Sequence, residues 1–192
     1  MIYRNATVED IPQIQALQKT YHISSIREED KKNGFVTTLF TAEQMQELIE
    51  QENGISITCD SDRVVAYAMA GSWSFWSKWP LFEYMISDLG NIRYAGRTLD
   101  TENSYQYGPV CIDADYRGKG ILESIFRFSA RQMRLRYPVL ITFINQINTR
   151  SFAAHTGKVG LDVIKTFSFH ENQYYELGYE TAKAAQNENQ TA

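Results

Sequence analysis

Apolar positions along the chain change period several times, and each change marks an element. A β-rich run, Ile2 to Ala6, leads into Thr7-Val8-Glu9-Asp10, where Thr and Asp suit a helix start and Pro12 is tolerated in the first turn. Ile11, Ile14, Leu17 and Tyr21 then recur at helical spacing and predict an amphipathic helix. The polar stretch from Ser24 to Gly34 predicts a loop or irregular helix. Thr41-Ala42-Glu43-Gln44 is a capping box, and Met45, Leu48 and Ile49 carry a second helix that Gly54 should stop.

From Ile55 the period shortens. Ile55, Ile57 and Cys59 alternate with polar residues, Asp60-Ser61-Asp62 can turn the chain, and Val64 to Ala70 returns, which predicts an antiparallel hairpin. Ser72 to Ser104 has no clean period. Trp73, Phe75, Trp76, Trp79, Phe82 and Tyr84 crowd together there, and the segment reads as an insertion. Tyr105 to Asp113 is strand-like, with a bulge or distortion expected at Pro109. Gly118 to Arg136 should be a helix with Leu122, Ile125, Phe126, Ser129 and Met133 on one face. Val139 to Ile144 is a short continuous apolar run, as in a strand buried on both faces. Asn148 to Gly157 suits a short helix capped by Asn148 or Thr149. Leu161 to Phe169 and Gln173 to Tyr179, separated by His170-Glu171-Asn172, should pair as a final hairpin, and Thr181 to Ala192 should fray.

Composition narrows the class. The 192 residues suit one domain, expected over 1–180 with the aromatic insertion at about 72–104 and a flexible tail at 181–192. Hydrophobic residues make up 43% and charged residues 22%, as in an ordinary globular protein. A net charge of -4 argues against a general nucleic-acid binder and weakly favours a cationic partner such as an amine. Only Cys59 and Cys111 are present, without a Cys/His cluster, so no metal is expected. The start has no apolar signal core, and eighteen apolar residues are nowhere continuous, so a cytoplasmic protein without a membrane partner is expected.

The segment richest in chemistry is Val110-Cys111-Ile112-Asp113-Ala114-Asp115-Tyr116-Arg117-Gly118-Lys119-Gly120-Ile121-Leu122, a strand passing through a glycine loop into a helix. Amides at such a helix start point outward with the positive end of the dipole and favour an anion. Gly118 and Gly120 would let the backbone approach a phosphate, with Arg117 and Lys119 adding charge. The alternative is a tight turn with a basic surface. A Walker loop is disfavoured because Gly120 follows Lys119 where Ser or Thr is needed, and a dinucleotide fingerprint is disfavoured by Glu123.

These residues resemble the acetyl-CoA motif of the GNAT (Gcn5-related N-acetyltransferase) superfamily, Arg/Gln-x-x-Gly-x-Gly/Ala, at Arg117, Gly120 and Leu122, where Leu122 replaces a small residue. Asn148-Thr149-Arg150-Ser151-Phe152-Ala153-Ala154-His155 with Gly160-Leu161 is similar to the family's fourth-helix motif. The resemblance implies an α/β (α+β) domain with a central mixed, mostly antiparallel sheet of about six to seven strands flanked by helices. It implies an N-acetyltransferase that moves acetyl from acetyl-CoA to a primary amine of a small molecule or peptide by direct attack in a ternary complex. Cofactor contacts are implied for Val110, Cys111 and Ile112 on a splayed strand, for the loop from Arg117 through Gly118, Lys119 and Gly120 to Ile121 and Leu122, and for Asn148 and Ser151. His155 stands where many members carry a tyrosine general acid. A sensor or scaffold that binds acyl-CoA without catalysis is the alternative, drawn from the departures at Leu122 and His155.

The acceptor side is less legible. Glu83, Tyr105 and Tyr107 are candidates for the base that must deprotonate an amine, and Asn145 could line the acceptor site. The cluster beginning at Trp73 could wall an acceptor pocket, pack as core or cover a homodimer interface.

Overall fold

In the computed structural model, which describes residues 1–186, the chain runs β1 (Ile2–Asn5), α1 (Ile11–Thr20), α2 (Ala42–Glu52), β2 (Ile55–Asp60), β3 (Arg63–Gly71), α3 (Trp73–Trp76) and α4 (Pro80–Asp88). It continues through β4 (Arg93–Tyr94), β5 (Arg97–Thr98), β6 (Ser104–Ile112), α5 (Ile121–Met133), β7 (Val139–Asn145), α6 (Thr149–Ala154), β8 (Asp162–Phe169), β9 (Asn172–Glu180) and α7 (Lys183–Gln186). The polar stretch before α2 folds as short 3-10 turns, Ile23–Ser25 and Glu28–Asn33.

A seven-stranded sheet orders these strands β1-β2-β3-β6-β7-β9-β8, mixed and mostly antiparallel. Only β6 and β7 run parallel, and their pairing ends at Gln106 opposite Ile141. The reason is local. Ala68 of β3 pairs with Val110 and Ala70 with Tyr107, so Gly108 and Pro109 together face one residue and bend β6. Beyond that bulge, β6 keeps β3 on one edge and has no strand beside the other.

Both faces of the sheet are covered. Ile11, Ile14 and Leu17 of α1, with Met45 and Leu48 of α2, pack on one face. Ile121, Ile125, Phe126, Ala130 and Met133 of α5 pack on the other. The alternation in β2 therefore does not mark a solvated face: Ser56 and Thr58 are buried beneath α5. Both expected capping boxes form, at Thr7/Asp10 and Thr41/Gln44.

Two expectations change, at the end of α2 and in the C-terminal segment, and one of the open readings of the aromatic cluster is seen. Helix α2 is ended by Asn53, which takes the left-handed conformation (φ 52), while Gly54 serves close packing. A Cβ on Gly54 would stand 2.1 Å from the Ala70 carbonyl oxygen. The aromatic insertion is core: Trp73, Phe75, Trp76, Phe82 and Met85 are buried in the cluster on the α1 face. Of the expected tail, Thr181 to Gln186 form a turn and α7, with Thr181 and Ala184 buried; residues 187–192 lie outside the described part.

Candidate functional site

The glycine loop lies where β6 ends, and several side chains fix it. Asp113 accepts from the Asp115 amide (3.0 Å) and pairs with Arg63 (2.6 Å), while the Tyr21 hydroxyl accepts from the Ala114 amide (2.6 Å). The Arg117 guanidinium donates to the carbonyls of Ile112 (2.9 Å) and Asn33 (2.8 Å) and lies over the Tyr21 ring (4.7 Å). Arg117 thus ties the loop to the strand end and to the turn before α2. Gly118 (φ 80) and Gly120 (φ 77) are both left-handed, and no atom lies within 4 Å of where a Cβ would stand on either. Helix α5 begins at Gly120 with no side-chain cap, so its leading amides carry the dipole's positive end into open space.

That space is a cleft with a cavity volume of about 130 Å³, continuous with solvent. Val110, Cys111 and Ile112 line it, as do Arg117, Gly118, Gly120, Ile121, Leu122, Asn148, Ser151 and His155. Of the expected cofactor residues only Lys119 is outside the lining; its ammonium lies 5.0 Å from the Tyr116 ring centroid. The Cys111 thiol approaches the Leu17 carbonyl (4.0 Å), and burial pushes its pKa up to about 12, so it is a packing group. Arg150 and Lys158, both exposed, bring further positive charge to the cleft, and Glu123 also lines it.

A second cavity of about 110 Å³ opens beyond the β6 bulge and shares Phe35, Val36, Val110, Asn148, Ser151 and His155 with the first. Its walls include Phe35, Phe40, Phe82, Phe143 and Tyr174, with Gln106, Thr142 and Asn145 among the polar groups. Tyr107 and Asn145 thus line this second cavity. Trp73, Glu83 and Tyr105 line neither cavity. Trp73 is fully buried and donates to Ser104 Oγ (3.0 Å), Glu83 is exposed on α4, and Tyr105 is core against Tyr137. Phe35, Phe143, Tyr174, Arg150 and Lys158 were not anticipated. Only Phe82 carried a signal, as part of the aromatic cluster.

Between the cavities stands His155, on the π-helical turn His155–Val159 that extends α6. Asn148 caps α6 by accepting from the Ser151 amide (3.2 Å) and donates toward the Phe35 carbonyl (3.5 Å). The His155 Nδ1 lies 2.8 Å from the Ser151 carbonyl and 3.2 Å from Ser151 Oγ. A carbonyl only accepts, so Nδ1 carries the proton and Nε2 the lone pair. Burial lowers the imidazole pKa, opposed by the Ser151 hydrogen bond, and the ring is neutral at pH 7.

No protein-family model and no curated protein sequence matches this chain. Solved structures do. The ribosomal-protein-alanine N-acetyltransferase from Brucella melitensis is 19% identical with a TM-score of 0.62, covering 94% of this chain and 99% of its own. An N-acetyltransferase from Staphylococcus aureus Mu50 is 17% identical with a TM-score of 0.63, over 94% and 98%. The structure of yncA from Salmonella typhimurium with its cofactor acetyl-CoA is 14% identical with a TM-score of 0.62, over 94% of each chain. The fold is therefore the GNAT acyl-CoA N-acyltransferase fold, as the two sequence motifs imply. Among the described residues no helix is long and apolar enough to cross a membrane.

Proposed function

We propose that this protein transfers an acetyl group from acetyl-CoA to a primary amine of a small molecule or peptide, by direct attack while both are bound. The observation that carries this reading is the meeting of two cavities at His155, Ser151, Asn148 and Val110, one of them beginning at an uncapped helix start. The residues present fit the cosubstrate. Gly118, Gly120 and the first amides of α5 suit a diphosphate, with Arg150 and Lys158 beside them. The free edge of β6 suits an amide-bearing arm lying alongside Val110 to Ile112.

Acetyl-CoA supplies a thioester whose carbonyl carbon is open to attack. An N–H from the free edge of β6 polarises the carbonyl oxygen as charge develops on it. Neutral His155, which lines both cavities and whose Nδ1 is held by Ser151, accepts on Nε2 the proton that the amine loses as the N–C bond forms. The resulting imidazolium returns that proton to sulfur as the C–S bond breaks, the proton-donor role implied for this position. One proton leaves nitrogen and one arrives at sulfur, so the products are the amide and the free thiol.

The test is thiol release from acetyl-CoA against a panel of primary amines, beside a calorimetric titration of acetyl-CoA. Saturable binding with turnover on some amine is expected. Binding without turnover on any acceptor would leave a non-catalytic acyl-CoA module.

A further inference from the structure

The second cavity is unusual in its charge. Among the described residues no Asp, Glu, Lys or Arg lines it, and its walls are six Phe and Tyr rings with Val36, Pro109, Val110 and Ile144. Phe82 and Phe143 meet edge to face at 5.5 Å, as do Phe143 and Tyr174, so the wall is a packed surface. The carboxylate nearest in the sheet is Glu176, opposite Phe143 in the β7–β9 register. It lies outside the lining, is almost fully buried and is engaged by Lys165 (3.3 Å). Lys165 in turn pairs with Asp88 of α4. An ammonium or carboxylate drawn into this cavity would shed its water without finding a counter-charge.

We propose that this cavity takes a primary monoamine borne on an aromatic or long alkyl group, with the nitrogen bound as the free base beside His155. The inference rests on the acetyl-transfer reading and names the acceptor class for it. The apolar group gains burial against Phe35, Phe82, Phe143 and Tyr174, and Gln106, Thr142 and Asn145 provide uncharged hydrogen-bonding groups. Diamines and amino acids are rejected because each carries a further charge that nothing in the cavity matches, a penalty that discriminates more sharply than any apolar contact.

The experiment measures initial rates of thiol release with the intact protein and saturating acetyl-CoA, using 2-phenylethylamine, hexylamine, putrescine, phenylalanine and a tripeptide with N-terminal Phe. A calorimetric titration of acetyl-CoA runs in parallel. The two monoamines should exceed each of the other three by about tenfold or more in kcat/KM. A higher kcat/KM for putrescine, phenylalanine or the peptide overturns the acceptor class and leaves acetyl transfer standing. Acetyl-CoA binding without turnover on any of them overturns both proposals, as does the absence of acetyl-CoA binding. Thr38→Asp gives an independent check, because Thr38 is a partly exposed loop residue on the cavity wall. With an unchanged melting temperature, it should shift the kcat/KM ratio toward putrescine by about fivefold or more, the second ammonium gaining a partner. An unchanged ratio would overturn the claim that missing charge sets the selectivity.

Discussion

Two residues carry the sharpest consequences of this structure. His155 has a depressed pKa because burial disfavours the imidazolium, while the Nδ1–H bond to Ser151 opposes that shift and fixes the tautomer. His155→Gln should lower kcat by about 10²- to 10⁴-fold, the usual worth of general acid–base catalysis, while calorimetry returns an almost unchanged affinity for acetyl-CoA. Its depressed pKa also has a stability sign. The unfolded chain binds the proton more tightly, so the contribution is complete above the usual 6.5 and is lost as pH falls toward the lower native value. Urea melts should therefore show a shallower acid-side loss of stability in the glutamine variant than in the wild type. At the glycine loop, Gly120→Glu combines a positive φ of 77 with a carboxylate placed at a helix start that favours anions. Loss of detectable acetyl-CoA binding is expected, and an unaltered titration would remove the loop from the site.

The elements show what local pattern conveys and what it does not. Helix α5 was legible because its apolar face repeats every three or four residues, and the capping boxes were legible because they close within four positions. The aromatic segment was not. Its rings pack on the sheet and on one another, as Trp76 does with Phe40, Phe75 and Phe82, so their positions follow neighbours distant in sequence rather than a repeat. Because Trp76 is fully buried, Trp76→Ala should cost about 3–5 kcal/mol in chemical denaturation, the range for large aromatic truncation in a core. A loss of less than about 1 kcal/mol would point to a mobile cover instead of a core element. The pairing of β8 with β9 brings Lys165 to Glu176, whose pKa burial raises above the usual 4.5 against the opposing pull of Lys165. A raised native pKa gives stability at low pH that is lost as pH rises through it. Glu176→Gln should accordingly become more favourable relative to wild type as pH rises from the usual 4.5 through the higher native pKa, read as a widening difference in melting temperature.

At the scale of the molecule, the site exists because a parallel strand pair fails to continue. The β6–β7 pairing stops at Gln106, and the space that opens connects a cleft on the α5 side with an aromatic cavity on the other. Ligand binding there should couple to global stability, since residues from the end of α1, the turn before α2, β6, α5 and α6 all line one cleft. At a hundredfold excess over its dissociation constant, acetyl-CoA should add about 2.7 kcal/mol and raise the melting temperature by several degrees. The same addition should leave the Gly120→Glu variant unmoved.

By itself the sequence determined the elements outside the aromatic segment and the C-terminal turn, their order, the glycine loop and the capped helix that carries His155, because each is written in residues close along the chain. The tertiary structure decided which side chains face the two cavities. Phe35, Phe143, Tyr174, Arg150 and Lys158 enter the site from separate elements, and Trp73, Glu83 and Tyr105 are turned away from it. Even Arg117, a member of the motif, commits two of its five N–H donors to the carbonyls of Ile112 and Asn33. The physical reason is that a cavity is defined by surfaces left uncovered after distant segments pack, and no local pattern records which surfaces those will be.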